Sequence, residues 1–121
     1  MSKYGRPTPE GIFDLAAVDS ELRASEAYIR NGHTAHTLVR EDDLRIVAVV
    51  MKAGACMAEH HAKETATVHG LSGHVRLRLP GTTTDVGPGQ LLVLERGMRH
   101  DVEAIVDSAF LLTLGWSAGS T

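Results

Sequence analysis

The feature that most constrains this chain is a rhythm of short apolar runs cut by glycine. The runs are Ala35–Arg40, Leu44–Met51, Cys56–His61, Thr65–Leu71, His74–Leu79, Gln90–Leu94, Arg99–Val106 and Ala109–Trp116. Between them stand Ala53-Gly54, Ser72-Gly73, Pro80-Gly81 and Gly87-Pro88-Gly89, all turn formers. Within His74–Leu79 the apolar Val75, Leu77 and Leu79 alternate with His74, Arg76 and Arg78. Period two with one wet face is the pattern of a β-strand. Leu91 to Leu94 is continuously apolar and predicts a strand covered on both faces. No helical stripe of comparable quality follows residue 30, so the chain reads as all-β, a sandwich or barrel.

Residues 1–34 are expected to form an irregular N-terminal arm with a short helix or strand, and residues 35–118 the barrel. Met1 to Glu10 is polar and rich in Pro, Gly, Ser and Thr. In Ile12–Ala24, Asp14 or Asp19 offers a cap for a helical turn, but the apolar spacing is too irregular to fix a helix. Glu41, Asp42 and Asp43 read as a solvated turn. His33 and His36 precede the recognisable strands and are expected on the surface or in an interface. With 121 residues the chain is one domain.

The net charge of -3 and the scattered arginines argue against a nucleic-acid surface. No apolar stretch reaches the roughly 18 residues needed to cross a bilayer. The N-terminus lacks the apolar segment of a secretory signal. The single cysteine, Cys56, fits a reducing compartment. A cytoplasmic protein without membrane partners is the expectation. Neither a phosphate-binding glycine loop nor a Gly-x-Ser-x-Gly elbow is present.

Two segments carry a family resemblance. One runs Gly54-Ala55-Cys56-Met57-Ala58-Glu59-His60, with Gly73 after a strand; the other is Gly89-Gln90-Leu91-Leu92-Val93-Leu94-Glu95-Arg96-Gly97-Met98-Arg99-His100. Both resemble the two conserved segments of the cupin superfamily, and the resemblance spans roughly residues 40–115. Leu71 to Leu77 also looks like the family's strand–turn–strand hairpin. The resemblance implies a double-stranded β-helix, the cupin or jelly-roll barrel of two antiparallel sheets, and a homodimer in which the arm covers a sheet edge. It also implies a metal site of three histidines and a glutamate in the members that bind Fe, Mn, Zn, Ni or Cu.

The sequence departs from that pattern. His60 matches the first ligand and His100 the last, but Ala62 and Ala66 stand where the second histidine and the glutamate belong. Glu95 replaces a usual proline and Ala104 a usual asparagine. His61, Glu64 and His69 are the candidates for an additional ligand. Strand alternation turns His61 and His69 away from the hollow unless a bulge intervenes.

The preferred reading is therefore a small cupin that binds a small organic molecule at the barrel mouth through His60 and His100. The alternative is an enzyme of oxygenase or isomerase type that uses a divalent transition metal. A non-catalytic dimeric interaction module is a further alternative. Cys56 is expected to share a face with Ala58 and His60 and to line the hollow. It lies about 13 Å along the strand from His60, too far to pair with it as a nucleophile. Met98, in the turn before His100, is expected to line the mouth. His74, on the arginine face, reads as a solvated surface residue.

Overall fold

The computed structural model describes residues 11–60 and 63–115, with the backbone alone at 59 and 60. Among these residues the chain forms two helices and nine strands, in the order α1 (Leu15–Arg23), α2 (Glu26–Asn31), β1 (His33–Arg40), β2 (Leu44–Met51), β3 (Cys56–His60), β4 (Ala66–Ser72), β5 (Val75–Leu79), β6 (Thr82–Val86), β7 (Leu91–Leu94), β8 (His100–Ala104) and β9 (Ser108–Gly115). The strands make two antiparallel sheets, β1-β2-β9-β4-β7 and β3-β8-β5-β6. This is the double-stranded β-helix. No helix among the described residues is long and apolar enough to cross a membrane.

The stretch whose spacing left helix or strand open is helical. Asp14 caps α1, its carboxylate accepting from the amides of Ala16 and Ala17 at 3.1 and 3.3 Å. Asp19 lies inside α1 and pairs with Arg23 one turn later at 2.7 Å. Ser25 caps α2 by accepting from the Tyr28 amide. Val18, Leu22 and Tyr28 face inward and pack on Ala48, Val50 and Ala109. The helices thus roof one half of the outer face of the five-stranded sheet. The expected arm at residues 1–10 lies outside the described residues.

Strand β2 explains its own unbroken apolar run. Val49 and Met51 enter the barrel core, while Ala48 and Val50 sit under the helices. Strand β7 has the same composition but a different fate. Leu94 is buried, yet Leu91 is 61% and Val93 56% exposed. The expectation that this run is covered on both faces is therefore incorrect. β7 is the outermost strand of its sheet, beyond the reach of the helices. Apolar residues on both faces signal double coverage only where a second layer exists.

Leu71 to Leu77 is also not a hairpin. β4 belongs to the five-stranded sheet and β5 to the four-stranded one, so Ser72-Gly73 carries the chain between layers. The hairpin is β5–β6, closed by Pro80-Gly81 with Leu79 opposite Thr82. At the interlayer crossing, Gly73 has φ +76°, and a Cβ there would lie 2.2 Å from the Asp107 carbonyl oxygen. Ser108, wholly buried, accepts from the His74 amide at 2.9 Å, with the Val106 carbonyl 2.7 Å away to receive its proton. Asp107 accepts from the Ala53 amide at 2.9 Å. These bonds seal one end of the barrel.

The outer face of the four-stranded sheet is a ladder of ion pairs. Arg76 grips Asp85 through two nitrogens at 2.9 and 3.2 Å, and Arg78 grips Asp101 at 3.0 and 3.2 Å. His74 is half exposed, as expected of a residue on that face, but its Nε2 lies 2.9 Å from Asp85. Hydrogen bonds from Arg76, then from His74, hold the Asp85 carboxyl down at a pKa of about 2.

Candidate functional site

At the end opposite the Ser108 network, β8 begins with His100. Along β8 residues 100, 102 and 104 are buried, so His100 enters the barrel interior in phase with Val102 and Ala104 and is only 4% exposed. Its Nδ1 lies 3.1 Å from the carbonyl oxygen of Met98. A carbonyl can only accept, so Nδ1 carries a proton, and in the neutral ring Nε2 then keeps its lone pair. Met98 itself is half-buried and packs against the core. The two-residue spacing between Met98 and His100 thus sets the tautomer of the imidazole.

Beneath His100 the described side chains pack closely. A cavity of about 20 Å³ is lined by Val49, Met57, Val68, His100, Val102, Phe110 and Leu112. That is room for roughly one water, far below the ~300 Å³ of a pocket that swallows an organic ligand. Among the described residues, His100 is the one polar side chain of that lining.

The partner strand β3 departs from simple alternation. Cys56 lies opposite Glu103 and Met57 opposite Val102, but residue 60 rather than 59 lies opposite His100. One extra residue is thus accommodated between Met57 and His60, a β-bulge. The backbone register makes residues 60 and 100 direct cross-strand partners. Directly opposed residues in an antiparallel pair have Cα atoms about 4.5–5.5 Å apart.

The same bulge corrects the expectation for Cys56. An unbroken alternation puts residues 56, 58 and 60 on one face. In the fold Cys56 and Ala58 are exposed, and it is Met57 that lines the cavity. Cys56 is exposed and does not line the cavity beneath His100.

The proposed replacement ligands also have definite places. Ala66 and Val68 are buried on the barrel side of β4, whereas His69 is exposed and lies across from Leu91. His69 therefore cannot serve as a further ligand beside His100. Glu64 is half-buried at the bend before β4, and His61 lies outside the described residues. Among the described residues no three His, Cys, Asp or Glu side chains come together as a metal centre. His33 and His36 belong to β1, at the far edge of the other sheet.

Comparison with known proteins follows the same lines. The model of the family described as Cupin domain matches residues 46–114. Among solved structures, a conserved protein of unknown function from Streptococcus pyogenes is 26% identical, covers 72% of this chain and 76% of its own, and superposes with a TM-score of 0.67. A cupin superfamily protein from Desulfitobacterium hafniense is 16% identical over 96% of this chain and 100% of its own, with a TM-score of 0.77. A salicylate 1,2-dioxygenase variant from Pseudoaminobacter salicylatoxidans is 16% identical, with a TM-score of 0.77, over 89% of this chain but only 35% of that one. The two likenesses at 16% identity concern the fold alone. No curated protein matches the chain.

Proposed function

The chain belongs to the cupin domain family, and from that premise we propose that it binds a small organic molecule at the barrel mouth through His60 and His100. The observation that carries this reading is the direct register of residue 60 with a buried, tautomer-locked His100. Two imidazole-bearing positions from segments 40 residues apart meet on neighbouring strands. His100 Nε2 accepts a hydrogen bond from a ligand hydroxyl or amine, and in its protonated form donates one to an oxyanion. Because the cavity beneath His100 holds about 20 Å³, the body of the ligand stays above it and only a terminal group descends there.

A second reading, a metal-dependent enzyme of oxygenase or isomerase type, draws support from one contact. Metal-bound histidines characteristically donate their other ring N–H to a carbonyl, as His100 Nδ1 does to Met98. A divalent transition metal at His60 and His100 would supply Lewis acidity or a site for oxygen. Among the described residues no three donors come together, however. Ala66 brings no donor and His69 faces away. This reading therefore ranks second.

Two measurements on protein purified without a metal-binding tag separate the readings. Thermal stabilisation is followed against a panel of small carboxylic acids and phenols, with salicylate as its first member. The proposal expects a panel member that stabilises the wild type, by about 2.7 kcal/mol at a hundredfold excess over Kd, with the effect absent in His60→Ala and His100→Ala. More than half an equivalent of a transition metal, lost in both variants, would replace the first reading by the second. A stabilising ligand whose effect both variants retain would remove the histidine pair from the account.

A further inference from the structure

The chamber beneath His100 is built from facing rungs of the two sheets. From the five-stranded sheet come Val49 opposite Phe110 and Val68 opposite Leu112, two cross-strand pairs that meet on β9. From the four-stranded sheet come His100 and, at the next inward position of β8, Val102 with Met57 opposite it. Met57, an unbranched thioether, fills the side of the chamber next to the bulge in β3.

A volume of about 20 Å³ is enough for one water, but size alone does not select a water. A buried water needs two to four polar partners. Among the described residues the lining offers one polar side chain, His100. The strand backbone at Val102, Phe110 and Leu112 is paired with a neighbouring strand on either side. Apolar voids of this kind stay dry. A methyl group has about the bulk of a water, asks for no hydrogen bond, and gains by leaving solvent for a carbon-lined space. An ordinary packing gap is walled by carbon throughout, whereas the ring of the buried His100 forms part of this wall at the mouth end.

We propose that the chamber is a subsite for an apolar tip, so that the molecule bound at the mouth ends in a methyl group, or in an atom of similar size such as chlorine, with its polar atoms held above. The inference rests on the reading of the mouth as the ligand site and adds to it the kind of end group admitted. Val49, Met57 and Val68 determine specificity through their bulk. Ligand charge plays no part in this contact.

The probes are three neutral amides, formamide, acetamide and propionamide, whose tips are a hydrogen, a methyl and an ethyl group. Binding is followed by NMR of the methyl signals of Val49, Met57, Val68 and Leu112. Acetamide is expected to shift these signals saturably and to bind about tenfold more tightly than formamide. Propionamide should gain nothing further. Val68→Ala enlarges the chamber and should move the preference to propionamide. Val49→Ile fills it and should erase the advantage of acetamide; if Val68→Ala does not fold, this variant carries the test alone. Equal affinity for all three amides, shifts that grow linearly, or an advantage that survives in Val49→Ile would overturn the subsite. His60→Ala and His100→Leu keep the two proposals apart. If acetamide still saturates at the chamber methyls in both, and the panel acids and phenols stabilise wild type and variants alike, the tip subsite stands and the histidine reading falls. A panel member whose stabilisation both variants lose, with no preference among the amides, removes the tip subsite alone.

Discussion

At one end of the barrel, Ser108 is fully buried and its hydroxyl is engaged with the His74 amide and the Val106 carbonyl. At the other end His100 is almost as buried, and its Nδ1 lies against the Met98 carbonyl, so in the neutral ring Nε2 has the chemistry of an acceptor. The same antiparallel strands run between the two. The difference lies in what the polar groups face. Around Ser108 they face backbone that crosses between layers, and every bond closes a loop. Around His100 the polar group faces a small apolar chamber and a cross-strand neighbour set by a bulge. Polarity buried against backbone holds a fold together, whereas polarity buried against a hollow is available to a ligand.

The sharpest way to break this comparison is Gly73→Ala. The positive φ and the 2.2 Å approach to Asp107 oppose any side chain there. A loss of roughly 3 kcal/mol or more is expected in urea unfolding. A loss below about 1 kcal/mol would show that the sealed end yields easily. Ser108→Ala comes next, because it strips the His74 amide of its acceptor. It should cost about 1–3 kcal/mol without altering ligand response.

His100→Leu tests the opposite end. Stability should stay within about 1 kcal/mol of wild type, since the lining is otherwise apolar. Ligand-induced stabilisation should vanish. A collapse of the fold would instead assign His100 the same kind of task as Ser108. Ahead of any mutation, ring nitrogen NMR should find the Nδ1–H tautomer of neutral His100.

The smallest effect belongs to the charge ladder, which serves neither end. Asp85 ionises near pH 2 in the fold against an ordinary 3.8. A depressed carboxylate pKa means a contribution to stability that is present above the unfolded value and is lost as pH falls through the folded one. Stability should therefore decline between about pH 4 and pH 2, and the slope should flatten in Asp85→Asn. An unchanged slope would show that solvent screens the Arg76–Asp85 pair almost completely.

Much of the architecture is legible in the residues themselves. The alternation in β5, the glycine turns and the lack of a helical stripe after residue 30 are enough for an all-β barrel, and the motif spacing is enough for the family. What escaped has identifiable causes. β6, Thr-Thr-Thr-Asp-Val, carries few apolar residues because it is an edge strand. Threonine fits a pleated surface without marking it as buried. The first helix was obscured because Ile12, Phe13, Ala16 and Ala17 crowd the i, i+3, i+7 series of Leu15, Val18 and Leu22.

The misreading of β7 has a different source, since composition cannot say where a covering layer stops. The bulge in β3 leaves no composition signal either. It is a property of pairing with β8, and missing it exchanged the roles of Cys56 and Met57. In the site, His100 was legible because it starts a strand whose alternate residues are plainly core. The chamber beneath it was not, because it depends on how rungs of the two sheets face each other across the barrel.

The tightness of the chamber beneath His100 sets what kind of discrimination the proposed mouth can exercise. A hollow with space for one water inspects only the leading atom of whatever arrives and leaves the remainder unexamined. Molecules that share an end group would be admitted alike, however different their skeletons. Trimming Phe110 or Leu112 at the floor would turn such a gauge into a container, and selectivity would pass from the tip of the guest to its girth.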